Sequence, residues 1–173
     1  DELNRAIYKL RRIEEERLEI EREKIRKADP KQWYGSEWVE HLLECPEDAE
    51  KCNKWNEIDA EHWIMLLKSR KEFISKCSLD QLVDVLLVDI SFKKLCEFPR
   101  FNAKQVSRLV TKYPQWVNEF SKDTLSNIDL EARIKLLCHY PDLVDAINKW
   151  NDFSDFSEEQ VVEILLKNYS FVT

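Results

Sequence analysis

Apolar residues recur along most of this chain in six clusters that are spaced by 20 to 29 residues. The clusters start at Trp38, Trp63, Val83, Val106, Arg133 and Val162. Four positions further on, every cluster has an aliphatic residue: Leu42, Leu67, Leu87, Val110, Leu137 and Leu166. A repeat of this length is typical of solenoids, in which each unit buries its apolar face against the neighbouring units.

The offsets within a repeat predict two short helices joined by a turn. Positions 0, 3, 4 and 7 share one face of the first helix. Tyrosine occupies position 7 in three copies, as Tyr113, Tyr140 and Tyr169. Position 8 is proline in three copies, as Pro46, Pro114 and Pro141. Proline ends one helix and suits the first turn of the next, so it marks the boundary between the two predicted helices.

The second predicted helix buries positions 10 and 14, for example Trp116 and Phe120. Position 14 reads Cys52, Cys77, Phe120 and Ile147 in four of the copies. Cys96 takes the same position if one residue is deleted from its copy. Because large hydrophobic residues alternate with cysteine here, we interpret these thiols as small core residues.

Each first helix is preceded by a polar residue that can accept a hydrogen bond from a backbone N–H at the helix start. These predicted N-caps are Ser36, Asp59, Ser78, Asn102, Asp129 and Ser157. Ser157 with Gln160 also matches a capping box. The weakest copy is Leu82 to Ile90, whose β-branched residues would also suit a strand.

The repeat resembles short tandem α-helical repeats of bacterial proteins with the pattern W-x2-LL-x3-P-x-F-x3-C-x-W. The residues that carry the best match are Trp63, Leu66, Leu67, Phe73 and Cys77, and the preceding copy matches at Trp38, Pro46 and Cys52. Lys71 replaces the proline and Leu79 the second tryptophan. The resemblance covers residues 38–150 and fades after Cys96. It implies a helical repeat fold, and it implies no activity.

Residues 1–29 have a different pattern and predict one long, charged helix. They carry nine residues of each charge, and opposite charges lie three or four residues apart. Its apolar residues form a stripe that consists of Leu3, Ile7, Leu10, Leu18 and Ile25, and Ala6, Ile13 and Ile20 widen it on one side. Glu14 and Glu21 interrupt the stripe, which makes it a poor coiled-coil seam. The helix lies along the repeats, forms the tail of a longer upstream helix, or pairs with another helix, as in a homo-oligomer.

These patterns together predict an all-α fold, in which an α-solenoid of short helix–turn–helix repeats follows one long charged helix. We expect a helix over 1–29, a linker over 30–37 and the repeat array over 38–173. The single glycine, Gly35, supports this fold class, because tight β-turns and bulges depend on glycine. The chain opens on Asp1 rather than Met, which suggests that it is a piece of a longer protein.

The net charge of −7 disfavours wholesale binding to nucleic acid or to anionic membranes. One region is rich in basic residues although the chain as a whole is acidic, and we call this region the basic ridge. It consists of Lys93, Lys94, Arg100, Lys104, Arg108 and Lys112. Either it is a solvated face of the array, or it binds an acidic protein segment or a phosphate backbone.

Metal binding and catalysis are not expected from this sequence. The candidate ligands His41, Cys45, Cys52 and His62 lack the tight pair that zinc sites contain. A single glycine excludes a phosphate-binding glycine loop. We therefore expect no cofactor, and the five cysteines are expected to stay reduced in a cytoplasmic protein.

The tryptophans divide into two groups. Trp38 and Trp63 start repeats and are expected in the core, whereas Trp33, Trp55 and Trp150 lie near turns and are candidates for a binding surface. The sequence therefore predicts a non-catalytic protein-interaction scaffold or adaptor, which binds a protein partner and does not enter a membrane. The alternatives are nucleic-acid binding through the basic ridge, and a regulatory appendage of a larger enzyme.

Overall fold

A computed structural model describes residues 2–147, 150 and 152–167, and within these residues it contains helices and turns but no strand. The all-α fold class is therefore confirmed. The α-helices are α1 (Glu2–Ala28), α2 (Gly35–Glu44), α3 (Ala60–Ser69), α4 (Leu79–Val88), α5 (Ala103–Lys112), α6 (Lys122–Leu125), α7 (Leu130–His139), α8 (Leu143–Ala146) and α9 (Glu158–Lys167). Leu82 to Val88, which also suited a strand, lie in α4.

The repeated element is a ten-residue α-helix that is followed, one residue later, by a six-residue 3-10 helix. The 3-10 helices are Pro46–Lys51, Lys71–Lys76, Ile90–Leu95 and Pro114–Glu119. The second helix predicted for each repeat is thus present in these four copies, and it is a 3-10 helix rather than an α-helix. Proline at the first position suits both helix types, and the short span between neighbouring ten-residue helices leaves room for about two 3-10 turns. Among the described residues, only the repeat that begins with α7 has an α-helix, α8, as its second helix.

The register of two repeats differs from the predicted one by a single residue. In α4 the fully buried leucine is Leu86, whereas Leu87 is only half-buried. The repeat therefore starts at Leu82 rather than Val83, and Cys96 then falls on position 14 without any deletion. In α9 the buried residue is Ile164, and Leu166 is 66% exposed. This repeat starts at Val161, and its predicted tyrosine, Tyr169, lies outside the described residues.

Side-chain caps fix the starts of most of these helices. The side chains of Asp59, Ser78, Asn102 and Asp129 each accept a hydrogen bond from a backbone N–H in the first turn of their helix, as predicted. Ser157 and Gln160 exchange the two hydrogen bonds of a capping box. Ser36 is not an N-cap, because α2 begins one residue before it, at Gly35. Residues 35–37, which were expected in the linker, therefore form the first turn of α2.

The described chain forms two compact units, residues 1–71 and 72–173. The first unit contains α1, α2 and α3, and α2 packs against α3. Its buried residues are Trp38, Val39, Leu42, Ala49, Cys52, Ile58, Trp63, Leu66 and Leu67. Gly35 fits here because a Cβ atom at this position would lie 2.8 Å from the carbonyl carbon of Glu57. The one glycine of the chain thus permits a close backbone approach.

The second unit contains α4 to α9, and its longer helices pack in sequence: α4 on α5, α5 on α7, and α7 on α9. Hydrogen bonds reinforce these contacts. The Tyr113 hydroxyl donates to the Leu86 carbonyl over 2.9 Å, and buried Gln105 donates to Asp80 over 2.8 Å. The backbone N–H of Asp129 donates to Ser107 Oγ, which is itself buried. Side chains of one repeat therefore satisfy polar groups of the next.

Candidate interaction surfaces

The apolar residues of α1 lie on the outside of the molecule. Every residue from Glu2 to Ala28 is exposed except Arg26, which is half-buried. The predicted packing residues are 73%, 41%, 64%, 51% and 63% exposed at Leu3, Ile7, Leu10, Leu18 and Ile25, respectively. The interpretation in which this stripe lies along the repeats is therefore wrong for the described residues. What remains is a helix whose apolar side chains face solvent.

One arginine holds the end of α1 to the start of the first repeat. The Arg26 guanidinium donates to both carboxylate oxygens of Glu37, over 2.8 and 2.7 Å, and to both oxygens of Glu23, over 2.9 and 2.6 Å. It also donates to the Gln32 carbonyl over 2.9 Å and lies 4.1 Å from the centre of the Tyr34 ring. Paired, parallel hydrogen bonds of this kind restrict geometry more than a single contact does. We call this set of contacts the Arg26 junction.

The charge of Arg26 changes the titration of its partners. Its hydrogen bonds lower the pKa of Glu37 from an ordinary 4.5 to about 2, and the Tyr34 backbone N–H adds to this effect. The same side chain lowers the pKa of Glu23. Both glutamates are therefore ionised at neutral pH, and each balances part of the Arg26 charge. No sequence pattern predicts this junction, because Arg26 and Glu37 lie eleven residues apart and on either side of a proline.

Trp33 adds an apolar contact to the same junction. Its indole N–H donates to the Lys27 carbonyl near the end of α1, over 2.8 Å. The ring lies edge-on to Trp38 at 4.9 Å and to His41 at 5.0 Å between centroids. Trp33 is half-buried, so most of its surface is used inside the unit. The end of α1 therefore has a defined attachment, although the rest of the helix is exposed.

The basic ridge lies in the second unit, and α5 presents three of its residues. Lys104, Arg108 and Lys112 are all exposed on this helix, as their spacing predicts. Most residues of the ridge already have partners. Arg108 pairs with Asp84 over 2.5 Å, Lys93 with Glu119 over 2.7 Å and Arg100 with Glu97 over 3.3 Å. The Lys112 ammonium donates to the Leu87 carbonyl.

Two ridge lysines, Lys94 and Lys104, form no ion pair with any residue that the structure describes. Lys93 also lies 5.4 Å from the centre of the Trp116 ring, so its charge has both an aromatic and an acidic neighbour. The ridge is therefore in large part a set of contacts within its own unit. A phosphate backbone or an acidic peptide would have to compete with Asp84 and Glu119 for it.

The three tryptophans that were candidates for a binding surface contact other side chains of their own units. Trp150 is 1% exposed, so its assignment to a surface is wrong. The Arg133 guanidinium lies 5.9 Å from the Trp150 ring centre and 4.7 Å from that of Phe156. Trp55 is half-buried and stacks on Trp63 at 5.7 Å. The sequence signal was misleading because a turn can cover an aromatic ring as effectively as a helix does.

Four of the cysteines occupy positions where burial suppresses thiolate formation. Burial raises the pKa of Cys77 to about 12 and that of Cys96 to about 11. It also raises the pKa of Cys52 and of Cys138. The thiolate is the form of cysteine that acts as a nucleophile and as a metal ligand. These four thiols are therefore poorly reactive at neutral pH.

His41 and His62 each bind a nearby carboxylate, Asp48 and Asp59, over 2.8 Å. Within the described part of the chain, histidine, cysteine and acidic side chains form no group that could hold a metal ion. None of the helices in that part combines the length and the apolar content that crossing a bilayer requires.

The second unit also contains an apolar groove that the sequence analysis did not predict. It has a volume of about 240 Å³ and is lined by Leu137, Val144, Phe153, Val161, Ile164 and Leu165. Leu165 is 40% exposed in it, although the equivalent leucines Leu42 and Leu67 are fully buried. The last described repeat is therefore less completely covered than the earlier ones.

Neither a known protein family, nor a curated protein, nor a solved structure matches this chain. The resemblance to bacterial tandem repeats stays a prediction.

Proposed function

We propose that this chain is a non-catalytic protein-interaction module, in which an α-solenoid of short repeats carries α1 as a docking helix. The observation that supports the proposal most strongly is the exposure of α1. Seven isoleucines and leucines of this helix are between 41% and 73% exposed, and none of residues 2–28 is buried. Exposed apolar surface of this extent is typical of protein–protein contact sites.

The Arg26 junction supports the same proposal. A charged helix with no apolar contacts is only marginally stable in water and needs no defined attachment. Here the last turn of α1 is held by Arg26 and Trp33, which bind Glu37 and the Lys27 carbonyl. The helix therefore projects from a fixed base, which reduces the conformational entropy that a binding partner would have to remove.

The solenoid proposal rests on the repeated pairing of helices within each unit. Within a unit, consecutive ten-residue helices pack together. The helices α2, α4 and α5 are each followed by a 3-10 helix, and each of these 3-10 helices packs on the α-helix that precedes it. Arrays of this type offer an extended surface of helices to a partner. We place the protein in the cytoplasm, because five unpaired cysteines are usual in a reducing compartment.

Nucleic-acid binding through the basic ridge receives less support. Asp84, Glu119 and Glu97 neutralise three of its six cations, and Lys112 binds a carbonyl oxygen. Binding to phosphates depends on cations that can replace counterions, so these internal pairs reduce the expected affinity.

The first test removes residues 1–22, which keeps Arg26 together with Glu23 and Glu37. We expect the intact chain to form complexes, with itself or with another protein, and the shortened chain to lose them. Sedimentation velocity measures self-association, and crosslinking of the intact chain in cell extract, followed by mass spectrometry, detects contacts at Lys9 and Lys24. If the two chains sediment identically and Lys9 and Lys24 of the intact chain form no crosslinks, α1 is not a docking helix.

A further inference from the structure

The apolar residues of α1 contain a narrower pattern than the stripe described above. Leu3, Leu10 and Arg17 recur every seven residues, and so do Ala6, Ile13 and Ile20, three positions later. These are the a and d positions of a coiled coil over residues 3–20, a length of about 27 Å. All six side chains are exposed, with Leu10 at 64%, Ile13 at 61% and Ile20 at 58%. We call these six residues the α1 seam.

The charges of α1 are separated into blocks along the same length. Residues 3–12 contain four basic residues, Arg5, Lys9, Arg11 and Arg12, and no acidic one. Residues 14–23 contain six glutamates and two arginines. The helix therefore has a positive block followed by a negative block, and two such helices attract each other most when they run in opposite directions.

Resting on the proposed role of α1 as a docking helix, we propose that its partner is a second copy of α1, which binds antiparallel with the two-fold axis between Arg11 and Arg12. In this arrangement Leu10 packs against the partner's Ile13, and Leu3 packs against the partner's Ile20. The remaining layer pairs Ala6 with the partner's Arg17. The small alanine leaves space for the arginine stem, whose charged end reaches solvent.

The flanking positions agree with this arrangement. Lys9 and Glu16 occupy the g positions beside the seam, where antiparallel helices bring each g residue next to a g residue of the partner. Lys9 thus faces the partner's Glu16, and the two-fold axis creates this pair twice. The basic block of each helix lies largely along the acidic block of the other.

A parallel pair of the same helices keeps one attractive contact, between Lys9 and the partner's Glu14, and is unfavourable at the other points. Arg17 would meet the partner's Arg17 in the seam, and the two basic blocks would lie side by side. Glu16 would face the partner's Glu21, so like charges would also meet beside the seam. A parallel pair also brings the two Arg26 junctions together, whereas the antiparallel pair separates them by about 44 Å along the helix axis. The antiparallel direction is therefore the more favourable one for a second copy.

The first experiment measures the oligomeric state of the intact chain by sedimentation equilibrium under reducing conditions, for the wild type and for two matched variants. Leu10→Asp places a charge in the seam, whereas Leu18→Asp makes the same change at a residue that is 51% exposed but outside the seam. We expect a dimer for the wild type and for Leu18→Asp. Leu10→Asp should weaken the dimer about a hundredfold or more, as for a residue at the centre of an interface.

Two results would overturn the proposal at this stage: a wild type that stays monomeric at every concentration, or a dimer that Leu10→Asp and Leu18→Asp weaken equally. The two substitutions change helix propensity by the same amount, so they should affect the helicity of α1 equally. Circular dichroism of both variants checks this.

The second experiment determines the direction of pairing through charge reversal in the intact chain. Glu16→Lys should weaken an antiparallel dimer about tenfold, because two attractive pairs become repulsive. Adding Lys9→Glu to the same chain should restore the affinity, since the two charges are then exchanged. Glu15→Lys serves as the control, because it makes the same change on the face opposite to the seam.

A parallel dimer gives the opposite result, since Glu16→Lys removes the repulsion from the partner's Glu21 and tightens the dimer. That outcome would overturn the antiparallel arrangement and leave the docking role of α1 intact. If instead the chain is monomeric but α1 is crosslinked to another protein in cell extract, the second copy is the wrong partner and the proposed function stands. If neither self-association nor such crosslinks occur, both proposals fail.

Discussion

Helices α1 and α5 show how similar patterns of sequence can have opposite surroundings. Both have apolar residues on one side and several basic residues on the other. In α5 the apolar residues Val106, Leu109 and Val110 are completely buried, because α4 and α7 pack against this helix. In α1 the equivalent residues are exposed. Periodicity therefore indicates which face of a helix is apolar, and it does not indicate whether the same chain covers that face.

The largest difference between the two helices should appear when a leucine is shortened. Leu109→Ala leaves a cavity in the core of the second unit and should lower the free energy of unfolding by about 2–5 kcal/mol. Leu18→Ala removes the same atoms from an exposed position on α1 and should change it by less than about 0.5 kcal/mol. Urea denaturation followed by tryptophan fluorescence and circular dichroism measures both. Equal effects would show that α1 is covered after all.

A smaller effect is expected at the Arg26 junction, which is the one part of α1 that is attached. Glu37→Gln keeps the size of the side chain but removes the charge that binds Arg26. Amide hydrogen exchange over residues 29–34 should become several-fold faster. Glu40→Gln, at an exposed residue about one turn further along α2, is the matched control and should leave exchange unchanged. An unchanged rate in Glu37→Gln would mean that Trp33 and the other contacts of Arg26 hold the junction without Glu37.

The junction should also depend on pH in a defined direction. The pKa of Glu37 is lowered from 4.5 to about 2, so its charge stabilises the junction above pH 4.5. This stabilisation is lost as the pH falls from 4.5 towards 2, when Glu37 becomes protonated. The difference in exchange between the wild type and Glu37→Gln should therefore be full at neutral pH and disappear over this range. A difference that persists to pH 2 would contradict the assignment.

The smallest effect is expected on the basic ridge. Arg108 and Asp84 are 41% and 47% exposed, and ion pairs of this kind contribute less than about 1 kcal/mol. Arg108→Ala should therefore destabilise the second unit by no more than this, and Lys104→Ala, at a residue without an ion pair in the described chain, should have a still smaller effect. Urea denaturation measures both variants. A decrease of more than about 2 kcal/mol in the free energy of unfolding of Arg108→Ala would contradict this expectation. It would mean that the basic ridge, and not only the buried side of α5, stabilises this helix.

Much of the local structure could be predicted from the sequence because its signals act over a few residues. Four side-chain caps and the helices they begin are confirmed at Asp59, Ser78, Asn102 and Asp129. The third repeat was placed one residue too late, since Val83, Leu86 and Leu87 are all apolar and sequence alone does not distinguish their faces. The structure shows that Leu86 is buried and Leu87 is not, which also explains the position of Cys96.

The surfaces were harder to predict, because exposure depends on distant parts of the chain. Trp150 was expected on a surface but is buried beside Arg133. Three residues of the basic ridge lie on α5, as their spacing predicted, but the ridge residues Arg108 and Lys93 pair with Asp84 and Glu119 of neighbouring repeats. The Arg26 junction was missed for the same reason. Each of these contacts joins residues at least eleven positions apart.

The most direct test of the contrast between α1 and α5 is amide hydrogen exchange of the intact chain at low and at high protein concentration. If the apolar side of α1 is covered only by association, its amides exchange rapidly at low concentration and are protected at high concentration. The amides of α5 should be protected equally at both concentrations, because the second unit covers this helix itself. Strong protection of α1 that is independent of concentration would contradict the account.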